Sequence, residues 1–275
     1  MASAHTILIK FGGNSLSGPG DLDRFAAELA GLIERGYHLI LVHGGGPEIS
    51  REMERRGMAV RKAAGLRITD EAALAVAAEV LSGINAATVD VLRGRGIDAV
   101  GVSAAEAGVV CTRKPPVTIV ENGVEATVDL DRVGDVIDVA GNWLQEAVAS
   151  GTVPVIYPIG ADDAGLLYNV NADTMAAFVA QASGAEAMVL LTDVPGILRG
   201  GETSSEVVHD ITFKGIDELI AQGVITGGML PKVEACRDAI RHSVPVVHML
   251  NGREPNSMAR KLIGHERIGT TVTQG

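Results

Sequence analysis

Aromatic side chains make up only 3% of the 275 residues, and cysteine appears twice. A core poor in rings must be built from Val, Ile, Leu and Ala, which favours parallel strands covered by Ala-rich helices over an aromatic-rich β-sandwich. Cys111 and Cys236 are far apart and lack CxxC or metal-type spacing, so they read as free, buried thiols of a reducing compartment. Positive charge is scarce too: 23 basic against 34 acidic residues leave a net charge of −11 and no basic cluster. That excludes a broad electrostatic grip on nucleic acid, and an anionic substrate must be drawn in by a few local lysines and arginines. No continuous apolar run reaches the ~20 residues of a membrane span. The stretch from Met1 to Thr6 lacks the basic start and apolar core of a signal peptide. A cytoplasmic protein with no nucleic-acid or membrane partner is expected.

Several chemical signatures are missing as well. The chain has no G-x-x-x-x-G-K-[S/T] phosphate loop, no G-x-G-x-x-G dinucleotide fingerprint and no G-x-S-x-G nucleophile elbow. Its seven histidines are scattered without ligand spacing, so no protein-held metal is expected.

What the chain does have is an alternation of apolar runs and helical patterns, with 47% hydrophobic residues. Thr6–Lys10, His38–His43, Ile97–Val102, Val153–Pro158, Ala187–Leu191 and Val244–Met249 read as strands, with a short terminal strand at Gly269–Val272. Asp21–Arg35, Pro47–Arg56, Gly141–Ala149, Ala172–Ser183, Thr212–Ala221, Leu230–Arg241 and Pro255–Ile263 read as helices. A long helix from Asp70 to about Arg93 is expected, with Thr69 as its cap. Its apolar residues cover more than one face, as a helix packed on the sheet and also on a partner subunit requires. Val109–Val128, with Pro115-Pro116 and the Glu121-Asn122-Gly123 turn, reads as a ribbon decorating the sheet. The expected fold is α/β with a mainly parallel open sheet. A lobe boundary falls near Gly160.

Glycine turns at strand ends organise the candidate site. His43-Gly44-Gly45-Gly46-Pro47 follows an apolar strand and opens a helix, so bare backbone N–H groups and a helix N-terminus meet at one place. In open α/β sheets that edge is where ligands bind; taken alone, the turn is equally a tight bend with no ligand. Lys10-Phe11-Gly12-Gly13 repeats the pattern one strand earlier, where Lys10 reads either as an anion-binding ammonium or as a strand-end solvent residue. Arg67 can hold a carboxylate in its planar fork, or be a surface arginine. Asn169-Val170-Asn171-Ala172-Asp173 puts two amides and a carboxylate at a helix mouth, where either asparagine also serves as a cap. Thr192-Asp193 follows a buried strand, and Thr226-Gly227-Gly228 precedes Lys232. Two lysines from opposite lobes suit phosphoryl transfer, which needs positioning and positive charge more than a covalent nucleophile.

In these blocks the chain resembles the amino acid kinase family. The resemblance rests on Ile-Lys-Phe-Gly-Gly-Asn at 9–14, Val-His-Gly-Gly-Gly-Pro at 42–47 and Gly-Leu-Arg-Ile-Thr-Asp at 65–70, followed by Asn-Val-Asn-Ala-Asp at 169–173, Leu-Thr-Asp-Val-Pro-Gly-Ile-Leu at 191–198 and Thr-Gly-Gly-Met-Leu-Pro-Lys-Val at 226–233. It implies a three-layer α/β/α sandwich in two lobes: 1–160 for acid binding and dimer contact, 161–275 for ATP. It also implies phosphorylation of the γ-carboxylate of N-acetyl-L-glutamate by ATP, with Mg2+ bound through the nucleotide phosphates, in arginine synthesis. Carried over by position, Lys10 and Lys232 would stabilise the transferring group and Asp173 would orient both. Gly45, Gly46, Arg67, Asn169 and Asn171 would hold the acid, while Gly12, Gly13, Thr192, Asp193, Thr226, Gly227 and Gly228 would border the nucleotide. Alternatives within the same chemistry are a carrier-linked aminoadipate or glutamate kinase or another small-acid kinase; outside it stands a non-catalytic amino-acid-binding module.

The chain departs from the family pattern in places. Gly101–Gly108 lacks the usual Gly-x-Asp-Gly, the first strand starts without a preceding helix, and Arg260-Lys261 stand where arginine-inhibited members tend to be acidic. A homodimer that arginine does not strongly inhibit is expected.

Overall fold

The computed structural model describes residues 5–12, 15–16, 18–121, 124–200 and 206–275. Gly13, Asn14 and the expected turn at Asn122-Gly123 lie outside them. The first half runs β1 (His5–Phe11), α1 (Asp21–Ile33), β2 (Tyr37–His43), α2 (Gly46–Arg55), the short hairpin β3 (Lys62–Ala63) and β4 (Leu66–Arg67), α3 (Glu71–Gly94) and β5 (Ala99–Ser103). Then come β6 (Val109–Arg113), the ribbon β7 (Val117–Glu121) and β8 (Val124–Val128), β9 (Val133–Val139), α4 (Trp143–Ala149), β10 (Val153–Tyr157), β11 (Ile159–Ala161) and β12 (Leu167–Val170). The rest is α5 (Ala172–Ala182), β13 (Ala187–Thr192), β14 (Asp210–Thr212), α6 (Phe213–Ala221), α7 (Met229–Arg241), β15 (Val247–Asn251), α8 (Ser257–Leu262) and β16 (Thr270–Thr273).

Eight strands form one sheet in the order β14-β16-β15-β13-β1-β2-β10-β5, in which every neighbouring pair is parallel except β15–β16. Successive side chains of a strand face opposite sides, and the core divides accordingly. Leu8, Ile40, Val42, Ile156, Met188 and Leu190 pack on one face with residues of α5 and α7. Ile7, Ile9, Leu39, Leu41, Val155 and Val189 pack on the other with residues of α1 and α3. The result is the expected three-layer α/β/α sandwich. β1 sits centrally between β13 and β2, so the chain leaves it first to one side and later to the other. The crevice at such a switch point collects ligands.

A second unit departs from the sequence reading. β11, β12, β9 and β6 close into a four-stranded barrel. β6 was expected to belong to the decorating ribbon, which in fact comprises only β7 and β8. Position 160 lies inside β11. The interior is tight: a Cβ on Gly160 would stand within 2.3 Å of Cys111 Sγ. Cys111 and Cys236 are both free and buried, and burial pushes the Cys111 thiol up to about 11.

Two smaller corrections concern α3. Asp70, not Thr69, is its cap, accepting from Ala73 N at 2.8 Å. The Thr69 hydroxyl instead donates to Arg67 O at 2.9 Å. By length and composition α3 is also apolar enough to cross a membrane, with a mean hydropathy of 1.6. No continuous apolar run announced this, because Ser82, Gly83, Asn85 and Thr88 interrupt the pattern. Leu74, Ala77, Leu81, Val89 and Leu92 are buried within the fold, whereas Ala72, Ala75, Ser82, Gly83, Ala86 and Ala87 are exposed.

Candidate active site

A cleft of about 380 Å³ opens at the carboxyl ends of β1, β2 and β13. Of the residues singled out from sequence, Lys10, Gly12, Gly45, Gly46, Arg67, Asn169, Asn171, Asp173, Thr192, Asp193 and Lys232 line it. Thr226, Gly227 and Gly228 do not; they form the exposed turn that leads into α7. Gly13 is outside the described residues.

Lys10 lies at the end of β1, where the strand leaves the core, and its side chain is only 13% exposed. Its ammonium is 2.6 Å from Asp173 Oδ1 and also stands over Gly12, where a Cβ would come within 3.7 Å of Nζ. Asp173 falls in the first turn of α5, a place that suits a carboxylate. Asn171 is that helix's cap: its Oδ1 accepts from Asp173 N at 2.9 Å and from Thr174 N at 3.0 Å. Lys232 reaches the cleft from the first turns of α7, with no ion-pair partner among the described residues.

Arg67 has a different setting. It is 9% exposed, and its guanidinium donates to Gly46 O at 3.0 Å and Ser50 Oγ at 2.7 Å, with no carboxylate beside it among the described residues. Burial lowers its pKa, so the charge is partly desolvated and not yet matched. Asn169 is braced by the Thr69 hydroxyl, donating to Oγ1 at 3.2 Å. The residue expected as the cap of α3 thus supports Asn169 at the cleft instead.

The glycine turns are not equivalent. Gly12 N–H already donates to Ser15 Oγ at 3.1 Å, so this turn presents the Lys10 ammonium more than a free backbone donor. Gly45 and Gly46 begin α2, where the opening N–H groups have no intrahelical acceptor. Thr192 spends its hydroxyl on Val194 O at 2.6 Å, holding the loop that carries the exposed Asp193.

Lys62, from the β3–β4 hairpin, also lines the cleft and was not among the candidates. Its only signal in the sequence is its closeness to Arg67. Sequence reasoning also missed the buried pair His43 and Asn85 beneath the glycine turn. Among the charged lining residues, Lys10, Lys62, Arg67 and Lys232 outnumber Asp173 and Asp193. A protein with net charge −11 has therefore concentrated positive charge at one concave place, as binding of a polyanion demands. The described residues contain no cluster of three or more His, Cys, Asp or Glu able to hold a metal.

The amino acid kinase family matches residues 5–251. An acetylglutamate kinase of Methanocorpusculum labreanum is 38% identical over 270 residues, covering 98% of this chain and 91% of that protein. Another acetylglutamate kinase, from Geotalea daltonii, is 38% identical over 272 residues, covering 98% and 92%. Among solved structures, an N-acetylglutamate synthase from Neisseria gonorrhoeae superposes with a TM-score of 0.82 at 22% identity, covering 99% of this chain and 60% of that one. At that identity the likeness is one of fold alone.

Proposed function

We propose that this chain, which belongs to the amino acid kinase family, transfers the γ-phosphoryl group of ATP to the γ-carboxylate of N-acetyl-L-glutamate, forming N-acetylglutamyl phosphate for arginine synthesis. Full-length relatives carrying that activity in their names support the choice of acceptor. The observation that carries it on this chain is the meeting of Lys10, Asp173 and Lys232 in one cleft with an Arg67 that lacks a carboxylate.

Each residue then has a role set by its chemistry. Arg67 takes the α-carboxylate in its fork, and Asn169 meets the acetamido group, with Asn171 beside it. A γ-carboxylate oxygen attacks the γ-phosphorus; the bond to the bridging oxygen breaks and ADP leaves with the electron pair. Charge spreads over the transferring oxygens, and ammonium groups from β1 and α7 lie where they neutralise it. Asp173 holds the Lys10 ammonium in place. Gly45 and Gly46 offer their N–H groups, and Gly12, Thr192 and Asp193 border the nucleotide. The turn at Thr226, Gly227 and Gly228 acts from outside the cleft, by directing α7.

Mg2+ fits this site as a guest of the nucleotide. Asp173 and Asp193 are the only carboxylates lining the described cleft, and one Asp173 oxygen is committed to Lys10. The ion would neutralise phosphate charge. Residues 1–160 supply most of the acid side, joined there by Asn169 and Asn171, and residues 161–275 supply most of the nucleotide side, joined there by Gly12; the protein works in the cytoplasm as a homodimer.

A coupled assay with MgATP tests the reading against N-acetylglutamate, glutamate, aspartate and carbamate. ADP release that depends on N-acetylglutamate is the expected result. Turnover confined to another acid, or none with any, would overturn it.

A further inference from the structure

We propose that His43 and Asn85 are a buried positioning pair that fixes the direction in which the glycine turn presents its backbone donors to the transferring group; this rests on the kinase reading above. Neither residue lines the cleft. His43 ends β2 at 0% exposure, and Asn85 sits at 4% on the sheet side of α3.

The hydrogen bonds leave one protonation pattern. Asn85 Nδ2 donates to Val155 O at 2.9 Å and stands 3.1 Å from His43 Nε2. A carbonyl only accepts, so the amide nitrogen must face it, and its second proton is directed at Nε2. Nε2 therefore carries a lone pair and the ring proton sits on Nδ1. That nitrogen is 3.0 Å from Gly44 O, to which it donates. An imidazolium would set Nε2–H against the Asn85 amide protons. Consistently, burial and the neighbouring Lys10 ammonium hold the ring neutral, with a pKa pushed down to about 4.

The consequence follows from peptide geometry. In a planar trans peptide, the carbonyl of one residue and the N–H of the next point in opposite directions. Tying Gly44 O to a buried imidazole turns Gly45 N–H the other way, and Gly45 lines the cleft. The device is built in from the far side as well. A Cβ on Gly101 of β5 would stand 2.0 Å from Asn85 Oδ1, so only a bare strand position lets this amide lie over the sheet. A core asparagine that merely satisfied itself would need no imidazole between it and the turn.

The test separates the two ring nitrogens. An asparagine side chain places its amide near the former Nδ1, a glutamine near the former Nε2. His43→Asn thus keeps a donor for Gly44 O, and His43→Gln keeps only the contact with Asn85. With N-acetylglutamate and MgATP, kcat is expected to fall about tenfold or more in His43→Gln and to be rescued to within about threefold of wild type in His43→Asn, with KM values little moved. Thermal melting keeps folding losses apart from this split. In the unmutated protein, imidazole 15N spectra near neutral pH should show a protonated Nδ1 and an unprotonated Nε2 for His43. Equal losses in the two variants, or no loss in either, would overturn the proposal, and so would a proton on Nε2. Were the wild type silent with N-acetylglutamate, the kinase reading would fail, and the spectrum alone would decide the pair.

Discussion

Lys10 Nζ lies 2.6 Å from Asp173 Oδ1, joining the end of the central strand to the first turn of a helix more than half the chain away. Both side chains are mostly buried, so the pair is little screened and fixes the ammonium above Gly12. Asp173→Asn keeps the shape and removes the charge that orients Lys10. We expect kcat to fall by about two orders of magnitude, and Lys10→Ala and Lys232→Ala to lower it at least as far. Lys10 and Lys232 line the cleft and fill no core, so circular dichroism should stay that of wild type. Turnover within threefold of wild type in any of the three would remove that residue from the chemistry.

Arg67→Lys separates recognition from transfer. The guanidinium spans Gly46 O and Ser50 Oγ and still has a face for a ligand carboxylate. A lysine supplies one point charge without the fork. KM for N-acetylglutamate should rise about ten- to a hundredfold while kcat changes little, since the α-carboxylate is bound equally in ground and transition states. Steady-state kinetics read this directly, and a loss in kcat alone would place Arg67 on the phosphoryl side.

The strands under the site were legible because β1, β2 and β13 are short apolar runs that each end in polar or glycine-rich turns. Period and punctuation say as much without any partner. The barrel was not. β9 and β12 pair far along the chain, and exposed Ile137 and Leu167 blur the alternation that marks a half-buried strand. Lys10, Arg67 and Asp173 could be singled out because charged groups stand there at strand ends, turns and a helix mouth, although Lys10 and Arg67 taken singly read equally as solvent-facing residues. His43 and Asn85 could not, since a buried amide in a helix leaves no mark in sequence until its acceptors are known. Thr69 and Asp70 were indistinguishable as caps, both being cap formers. Only the fold commits the Thr69 hydroxyl to Arg67 O and Asn169.

Acid should destabilise the protein earlier than its many surface ion pairs suggest. Burial holds both His43 and His248 at pKa values of about 4, below the ordinary 6.5. In the unfolded chain they take up protons first, so stability is full above about pH 6.5 and is lost as pH falls toward 4. Each histidine contributes up to about 3 kcal/mol to that loss. Glu28 opposes it, because burial raises its carboxyl pKa and the folded state takes up that proton readily. Denaturant melts at pH 7.0 and 5.0 should show lower stability at 5.0, and His248→Asn should shrink the difference. A flat profile between those values would contradict the burial of the two rings.

The exposed side of α3 sets the last expectation. Ala72, Ala75, Ser82, Gly83, Ala86 and Ala87 give its middle small residues that allow close helix approach, with Glu79 among them and the charges of Glu71, Asp90 and Arg93 toward the ends. Glu79 is already paired with Arg56 at 2.6 Å, which leaves little charge to repel a second copy. Two such helices crossing about a twofold axis would cover an apolar length that water otherwise faces. Sedimentation should give a mass twice the 28.5 kDa of the chain, and Gly83→Arg should shift it toward the monomer. Arginine should leave both mass and activity unchanged at millimolar concentration. The carboxylates of Glu254 and Glu266 beside α8 are already paired with Arg260, which offsets the negative charge a guanidinium would seek there. A hexamer, or sharp inhibition by arginine, would show that this end of the molecule is organised differently from what its ion pairs indicate.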